Sequence, residues 1–243
     1  MYTGAMIRFR PLLGPTLWTI PALLLLVGLG VWQIQRLHEK EALLTAIAER
    51  MTAPEAPLDE VLRLPVAETE WRHVQTRGRF LHDKEAYVYA TEFNLGLGVH
   101  VLTPLVLDGD GIVLVDRGFV PLASKAPDTR SAGQVDGDVA ISGIVRLAGE
   151  RNMFTPPTDE RERLWYWRDP EGIGRTLGLI LRSPVVVVAD QPANPGGLPR
   201  FAGYRVDIPN NHLQYALTWF GLALTLLAIY LVYHVSNGRL RLN

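Results

Sequence analysis

The chain has 243 residues, 48% of them hydrophobic, a formal net charge of −1 and no cysteine. That charge balance excludes the basic footprint of a nucleic-acid binder. The missing thiols exclude disulfide frameworks, thiolate metal sites, C-x-x-C-H haem attachment and cysteine nucleophiles, leaving metal chemistry to six histidines, the carboxylates and methionine.

From Pro11 to Gln35 no side chain is charged. About 20 helical residues span the roughly 30 Å of bilayer hydrocarbon. The stretch predicts a transmembrane helix over 16–35, beginning after the Pro15/Pro21 region and preceded by a cytoplasmic segment, 1–15. Arg8 and Arg10 stand before it as in a signal peptide, but the run is far longer than a signal h-region. It reads as an uncleaved anchor with Trp18 and Trp32 near its two interfaces. Between Val31 and Arg50 there is no Pro or Gly, and Leu37, Leu44 and Ile47 recur at helical spacing. An amphipathic helical extension over 36–53 comes next, ended by Pro54 and Pro57.

The segment 54–208 has the composition of a soluble domain and reads as β-rich. Strands are expected over 71–81, 86–93, 99–107, 112–120, 137–147 and 164–167. The sequence Asp108-Gly109-Asp110-Gly111 between two apolar arms is a hairpin signal. Pro104 inside the first arm predicts an edge strand or a bulge. Pro170 to Leu179 is expected to be a short helix, Pro184 to Ala189 a buried strand, and Gln191 to Gly203 a loop. Short strands at this spacing point to an antiparallel barrel or sandwich.

From Ile208 to Gly238 charge is again absent apart from His212 and His234. A second transmembrane helix is expected over 209–234, with a cytoplasmic tail, 235–243. The fold class is therefore a membrane protein, α+β, with two transmembrane helices flanking a small antiparallel β-rich extracytoplasmic domain. Lys and Arg are balanced around both helices (Arg200 and Arg205 before the second, Arg239 and Arg241 after it), so charge alone does not orient the chain.

Several residues are candidates for chemistry. Asp116-Arg117-Gly118 closes the hairpin's second arm. Neighbours on a strand face opposite ways, so Asp116 and Arg117 do not pair with each other; Arg117 is either a recognition group or, with more weight, a structural ion-pair partner. Trp165 to Asp169 is an aromatic and charged cluster that a half-buried strand explains as well as a binding platform does. No G-x-S-x-G, H-E-x-x-H, P-loop or dinucleotide fingerprint occurs. His212 opens the second helix on one face with Tyr215 and Trp219. It is either a functional group at membrane depth or an interfacial histidine reaching the headgroups.

Three stretches together resemble one family. Gly30-Val31-Trp32-Gln33-Ile34-Gln35-Arg36 with Lys40 is similar to its L-G-x-W-Q-x-x-R-x-x-x-K segment. Thr103-Pro104-Leu105 with Val115-Asp116-Arg117-Gly118-Phe119-Val120-Pro121 resembles its t-P-l … V-n-R-G-W-v-P core, departing at Asp116 and Phe119. Asn210-Asn211-His212-Leu213-Gln214-Tyr215-Ala216-Leu217-Thr218-Trp219-Phe220 resembles its N-N-H-x-x-Y-A-x-T-W-f signature. By these motifs the chain is identified as similar to the Surfeit locus protein 1 family of cytochrome c oxidase assembly factors. The resemblance implies a non-enzymatic factor in a bacterial inner membrane, with its β domain periplasmic. It implies transient binding of haem a, with His212 as the iron-linked residue, and delivery to oxidase subunit I. Arg36, Trp32, Tyr215, Trp219 and Arg117 are then candidate haem contacts. Partners expected on this basis are subunit I, the lipid bilayer and, as a further candidate, haem a synthase. The alternative is a scaffold that steadies subunit I without binding haem.

Overall fold

The computed structural model describes residues 7–92, 95–201 and 209–242. Phe93, Gly203, Arg205 and Ile208, which bound expected elements or enter the charge balance, lie outside the described residues. In chain order the elements are β1 (Ile7–Phe9), α1 (Leu13–Thr52), β2 (Ala56–Pro57), α2 (Leu58–Val61), α3 (Val66–Thr69), β3 (His73–Phe80), β4 (Ala86–Glu92), β5 (Gly96–Leu107), β6 (Ile112–Pro121), β7 (Asp138–Leu147), β8 (Leu164–Trp165), α4 (Pro170–Leu177), β9 (Val185–Gln191), α5 (His212–Ser236) and β10 (Leu240–Leu242). They form two compact units, residues 1–46 with 206–243, and residues 47–205.

In the first unit, α1 and α5 are both long and apolar enough to cross a membrane. α1 is one continuous helix of 40 residues. It starts before the predicted boundary at 16, with both prolines inside it. Pro15 is tolerated because it stands in the first turn, where an N–H has no intrahelical acceptor; Pro21 removes one ladder bond. The helices meet along a seam of small or polar residues. Gly30 marks a close approach: a Cβ there would lie 2.5 Å from the Phe220 ring. Ala216, Ala223 and Gln33 are buried along the same seam. At the other end, β1 and β10 pair antiparallel. Beside them the Leu12 N–H donates to His234 Nε2 at 3.1 Å, while His234 Nδ1 lies 2.8 Å from the Tyr230 carbonyl.

In the second unit the strand order is β2-β3-β7-β9-β6-β5-β4-β8, and a further β3–β5 pairing closes β3, β7, β9, β6 and β5 into a ring. The sheet is mixed, which corrects the antiparallel expectation: β2–β3, β4–β8 and β6–β9 are parallel. The parallel step is possible because the long connection holding β8 and α4 lets the chain re-enter the sheet beside β6 in the same direction. β6 and β9 are buried on both faces. Val113, Val115, Val185 and Val187 point into the ring with Val74, Leu105, Ile141 and Val145. Leu114 and Val186 face outward under Trp165, Ile173 and Leu177. Burial on both faces explains why β9 reads as an unbroken β-branched run.

Pro104 lies neither on an edge nor at a bulge. β5 pairs with β4 up to Leu102 and with β3 from Leu105. The proline stands where one neighbour hands over to the next, so its missing N–H breaks no ladder bond there. The bulge in β5 falls between His100 and Leu102 instead.

Candidate functional site

The candidate site is the seam at the start of α5. Asn211 is the N-cap residue and His212 the first helical position. On a helix, residues three, four, seven and eight apart share a face. His212 therefore stands above Ala216 and Trp219, with Phe220 and Ala223 beyond them, on the side that meets α1. Across from it, Gln33 lies one turn beyond Gly30, and its Oε1 is 2.7 Å from His212 Nδ1. Gln33 is only 9% exposed. His212 is half-buried, and among the described residues nothing hydrogen-bonds its Nε2. Two residues earlier, Asn210 Oδ1 is buried without a hydrogen-bond partner among the described residues.

The other predicted residues distribute around this pair. Trp219 is half-buried beside the seam, and Tyr215 is at its edge, 54% exposed. Trp32 and Arg36 sit four apart on the exposed side of α1 and pack on each other: the guanidinium carbon is 5.7 Å from the Trp32 ring centroid. Arg36 also pairs with Glu39 at 2.6 Å. Gln33 and Gly30 stand in the first family-like motif but were not among the candidate site residues. A neutral amide inside an uncharged helical run was the available signal, since such a group is buried only with a partner.

Arg117 belongs to the other unit. It is buried at 1% exposure, with its Nη2 donating to the Gly133 carbonyl and to Asn194 Oδ1, the latter at 2.8 Å, and its Cζ 4.8 Å from the Phe80 ring centroid. Burial lowers its pKa to about 10 despite Glu85, which lies 3.7 Å away. Glu85 also accepts from Arg130 Nη1 and from Gln134 Nε2, each at 3.1 Å. Burial would raise the Glu85 carboxyl, but His82, Arg130 and Gln134 outweigh it and hold the group at about 2. Asp116, on the opposite face, accepts from the Gly118 N–H and pairs with His100, both at 3.0 Å. Gly118 has φ +113°, and a Cβ there would collide with the Arg200 carbonyl, which bonds the Phe119 N–H at 2.8 Å. The Asp-Arg-Gly triplet is thus accounted for residue by residue: Asp116 by His100, Arg117 by Gly133 and Asn194, and Gly118 by the close approach of Arg200. In the aromatic cluster Trp165 is core, 1% exposed, Tyr166 packs on Tyr89, and Trp167 on Arg151.

The seam residues are compatible with one axial ligand to a porphyrin-held iron. Among the described residues no three His, Asp or Glu side chains gather to hold a metal. A porphyrin supplies four nitrogens of its own and takes one or two axial ligands from protein, most often an imidazole. His212, with Nδ1 engaged by Gln33 and no hydrogen bond to Nε2 among the described residues, has the chemistry of such a ligand.

Two long apolar helices joined by a closed mixed β domain, with an imidazole–amide pair in the helix seam, define a class of helix-anchored β-barrel proteins. The sequence profile of the SURF1 family matches residues 20–224. Surfeit locus protein 1 of Mus musculus is 35% identical over 210 residues, covering 80% of this chain and 67% of that protein. Surfeit locus protein 1 of Homo sapiens is 36% identical over 213 residues, 81% of this chain and 69% of that protein. A SURF1-like protein of Monosiga brevicollis is 33% identical over 225 residues, 87% and 84% of the two chains. The chain belongs to the SURF1 family.

Proposed function

We propose that this protein is a non-enzymatic assembly factor for haem-copper cytochrome c oxidase, holding haem a at His212 and assisting its insertion into subunit I. The observation that carries this reading is the state of His212: a half-buried imidazole at a helix–helix seam, tethered through Nδ1, with no hydrogen bond to Nε2 among the described residues. Family membership supports the oxidase-assembly context. The same reading places the chain in a bacterial inner membrane, with the β domain periplasmic and both termini cytoplasmic.

His212 is the residue that would hold the iron. When bound, the haem supplies an iron centre and two anionic propionates. Arg36 is suited to the propionates, because an exposed guanidinium paired with a surface carboxylate can exchange that partner for another anion. Trp219 and Tyr215 supply aromatic surface beside the imidazole. Arg117 is the weakest of the candidate contacts, because its guanidinium is buried and bonded within the β unit.

The test is purification from cells that make haem a, with pigment extraction and an absorption spectrum. His212→Ala should give an inserted, folded protein without haem. His234→Ala, at the other end of α5, should keep it, and Arg36→Ala should retain less than the parent. A full haem complement with an unchanged spectrum in His212→Ala overturns the ligand assignment and leaves the scaffold that steadies subunit I.

A further inference from the structure

We infer that Gln33 is a positioning residue for His212: its side-chain carbonyl fixes the imidazole in the Nδ1–H tautomer and so leaves Nε2 as the bare lone pair. The consequence for haem rests on the proposed ligand role of His212. The tautomer itself rests only on the seam.

The seam sets the geometry by two antiparallel rungs. At the first, Gly30 lets α1 and α5 approach until the Phe220 ring fills the space a Cβ would take. At the second, three residues further along α1 and eight residues back along α5, Gln33 meets His212 at 2.7 Å. The close first rung fixes the spacing at the second, so the amide does not search for its partner. An unpaired amide buried here would be unfavourable, which holds Gln33 on the ring.

A neutral imidazole carries one proton on two nitrogens. Gln33 Oε1 can only accept, so a hydrogen bond to it requires the proton on Nδ1. The lone pair is then on Nε2, the nitrogen without a hydrogen-bond partner among the described residues. This is the arrangement in which metal-ligating histidines are generally held, one ring N–H donating to an oxygen while the other nitrogen ligates. A carbonyl rather than a carboxylate as acceptor keeps the ligand a neutral imidazole. The opposite amide orientation would put the proton on Nε2 and block it, so the orientation decides whether the histidine can ligate.

The experiment uses the full-length chain labelled with 15N-histidine, prepared without haem in lipid nanodiscs. The ring nitrogens of His212 are assigned by their loss in His212→Ala. The expected wild-type result is a protonated Nδ1 and an unprotonated Nε2. Gln33→Leu should abolish that preference while helical content and insertion stay normal. In a second arm, hemin is titrated into the same samples: Gln33→Leu should bind about 10- to 100-fold more weakly. Gln33→Glu should restore binding with a more negative midpoint potential. A wild-type His212 protonated at Nε2 overturns the inference even if neither Gln33 variant folds. So does an unchanged tautomer in Gln33→Leu. If the tautomer behaves as expected but His212→Ala takes up hemin like the parent, Gln33 still orients His212 and the ligand reading alone fails.

Discussion

The imidazole of His234 accepts a hydrogen bond from the backbone N–H of Leu12 at 3.1 Å, across 222 residues of sequence. Leu12 immediately precedes α1, so this N–H has no acceptor within the helix. His234→Ala strands it, at a cost of about 1–3 kcal/mol, and His234→Gln, which keeps an acceptor, should recover part. Thermal unfolding of the intact chain monitored by circular dichroism checks this. A His234→Ala midpoint equal to the parent's would show that the bond contributes nothing.

A second prediction concerns Gly30. Alanine there meets the Phe220 ring at 2.5 Å, and overpacking of this size costs about 1–3 kcal/mol. Gly30→Ala should lower the unfolding midpoint, and Phe220→Leu in the same chain should relieve part of the loss. A double-mutant cycle reads the coupling; strictly additive effects would mean that the two residues do not share a contact.

Acid should act through Glu85. Its folded pKa of about 2 lies below the ordinary carboxyl value of 4.5. Its contribution is present above about 4.5 and is lost as pH falls towards 2, in total about 3 kcal/mol. Glu85→Gln removes that dependence and leaves Arg117 and Arg130 without their counter-charge, a loss of about 3–5 kcal/mol at neutral pH. Near-ultraviolet circular dichroism during titration from pH 7 to 2 separates the variant from the parent; identical acid profiles would refute the assignment.

The His100–Asp116 pair should respond at both ends of the scale. Burial lowers the His100 pKa, but Asp116 and Glu92 outweigh it, so the net shift is upward from 6.5. Burial raises Asp116, yet His100 brings it below 3.8. The histidine's contribution is complete below 6.5 and is lost as pH rises through its folded value; the carboxylate's is complete above 3.8 and is lost as pH falls. Asp116→Asn keeps an acceptor for the Gly118 N–H but should reduce the alkaline loss to the part that Glu92 supplies. Unfolding midpoints measured between about pH 5 and 9, a range spanning the ordinary histidine value, decide it, and an unchanged alkaline slope would sink the pairing.

Orientation can be read chemically because the chain has no cysteine. Met153 is 88% exposed in the β domain, and Arg239 is exposed beyond α5. With a membrane-impermeant maleimide on intact spheroplasts, Met153→Cys should label directly and Arg239→Cys only after permeabilisation. The reverse pattern inverts the proposed topology.

The main strands were legible because period-two alternation and the Asp-Gly hairpin signal are local properties. β2 was not, since two residues have no period. The parallel β6–β9 pairing was invisible for another reason: Leu114 meets Val186 through a connection whose length says nothing about direction. Arg117 was readable as a structural ion-pair partner, but Glu85, Asn194 and the Gly133 carbonyl converge on it only through the closed ring. At the seam, His212 was legible as an ionisable group opening an apolar helix. Gln33 carried the same kind of signal, but its partner is 179 residues away, and no spacing rule spans that distance.

Closure of the ring has a bearing on synthesis. β9 joins β7 to β6, so until residues 185–191 have emerged, β6 and β7 each present an unpaired edge. A nascent chain paused before that point exposes Val113, Val115, Ile141 and Val145 together with open backbone, the surface on which strands add to foreign strands. A premature stop before Val185 should therefore yield an aggregating fragment. A stop after Gln191 leaves every strand of the ring present and removes α5, β10 and the contacts of Asn194 and Arg200 to β6.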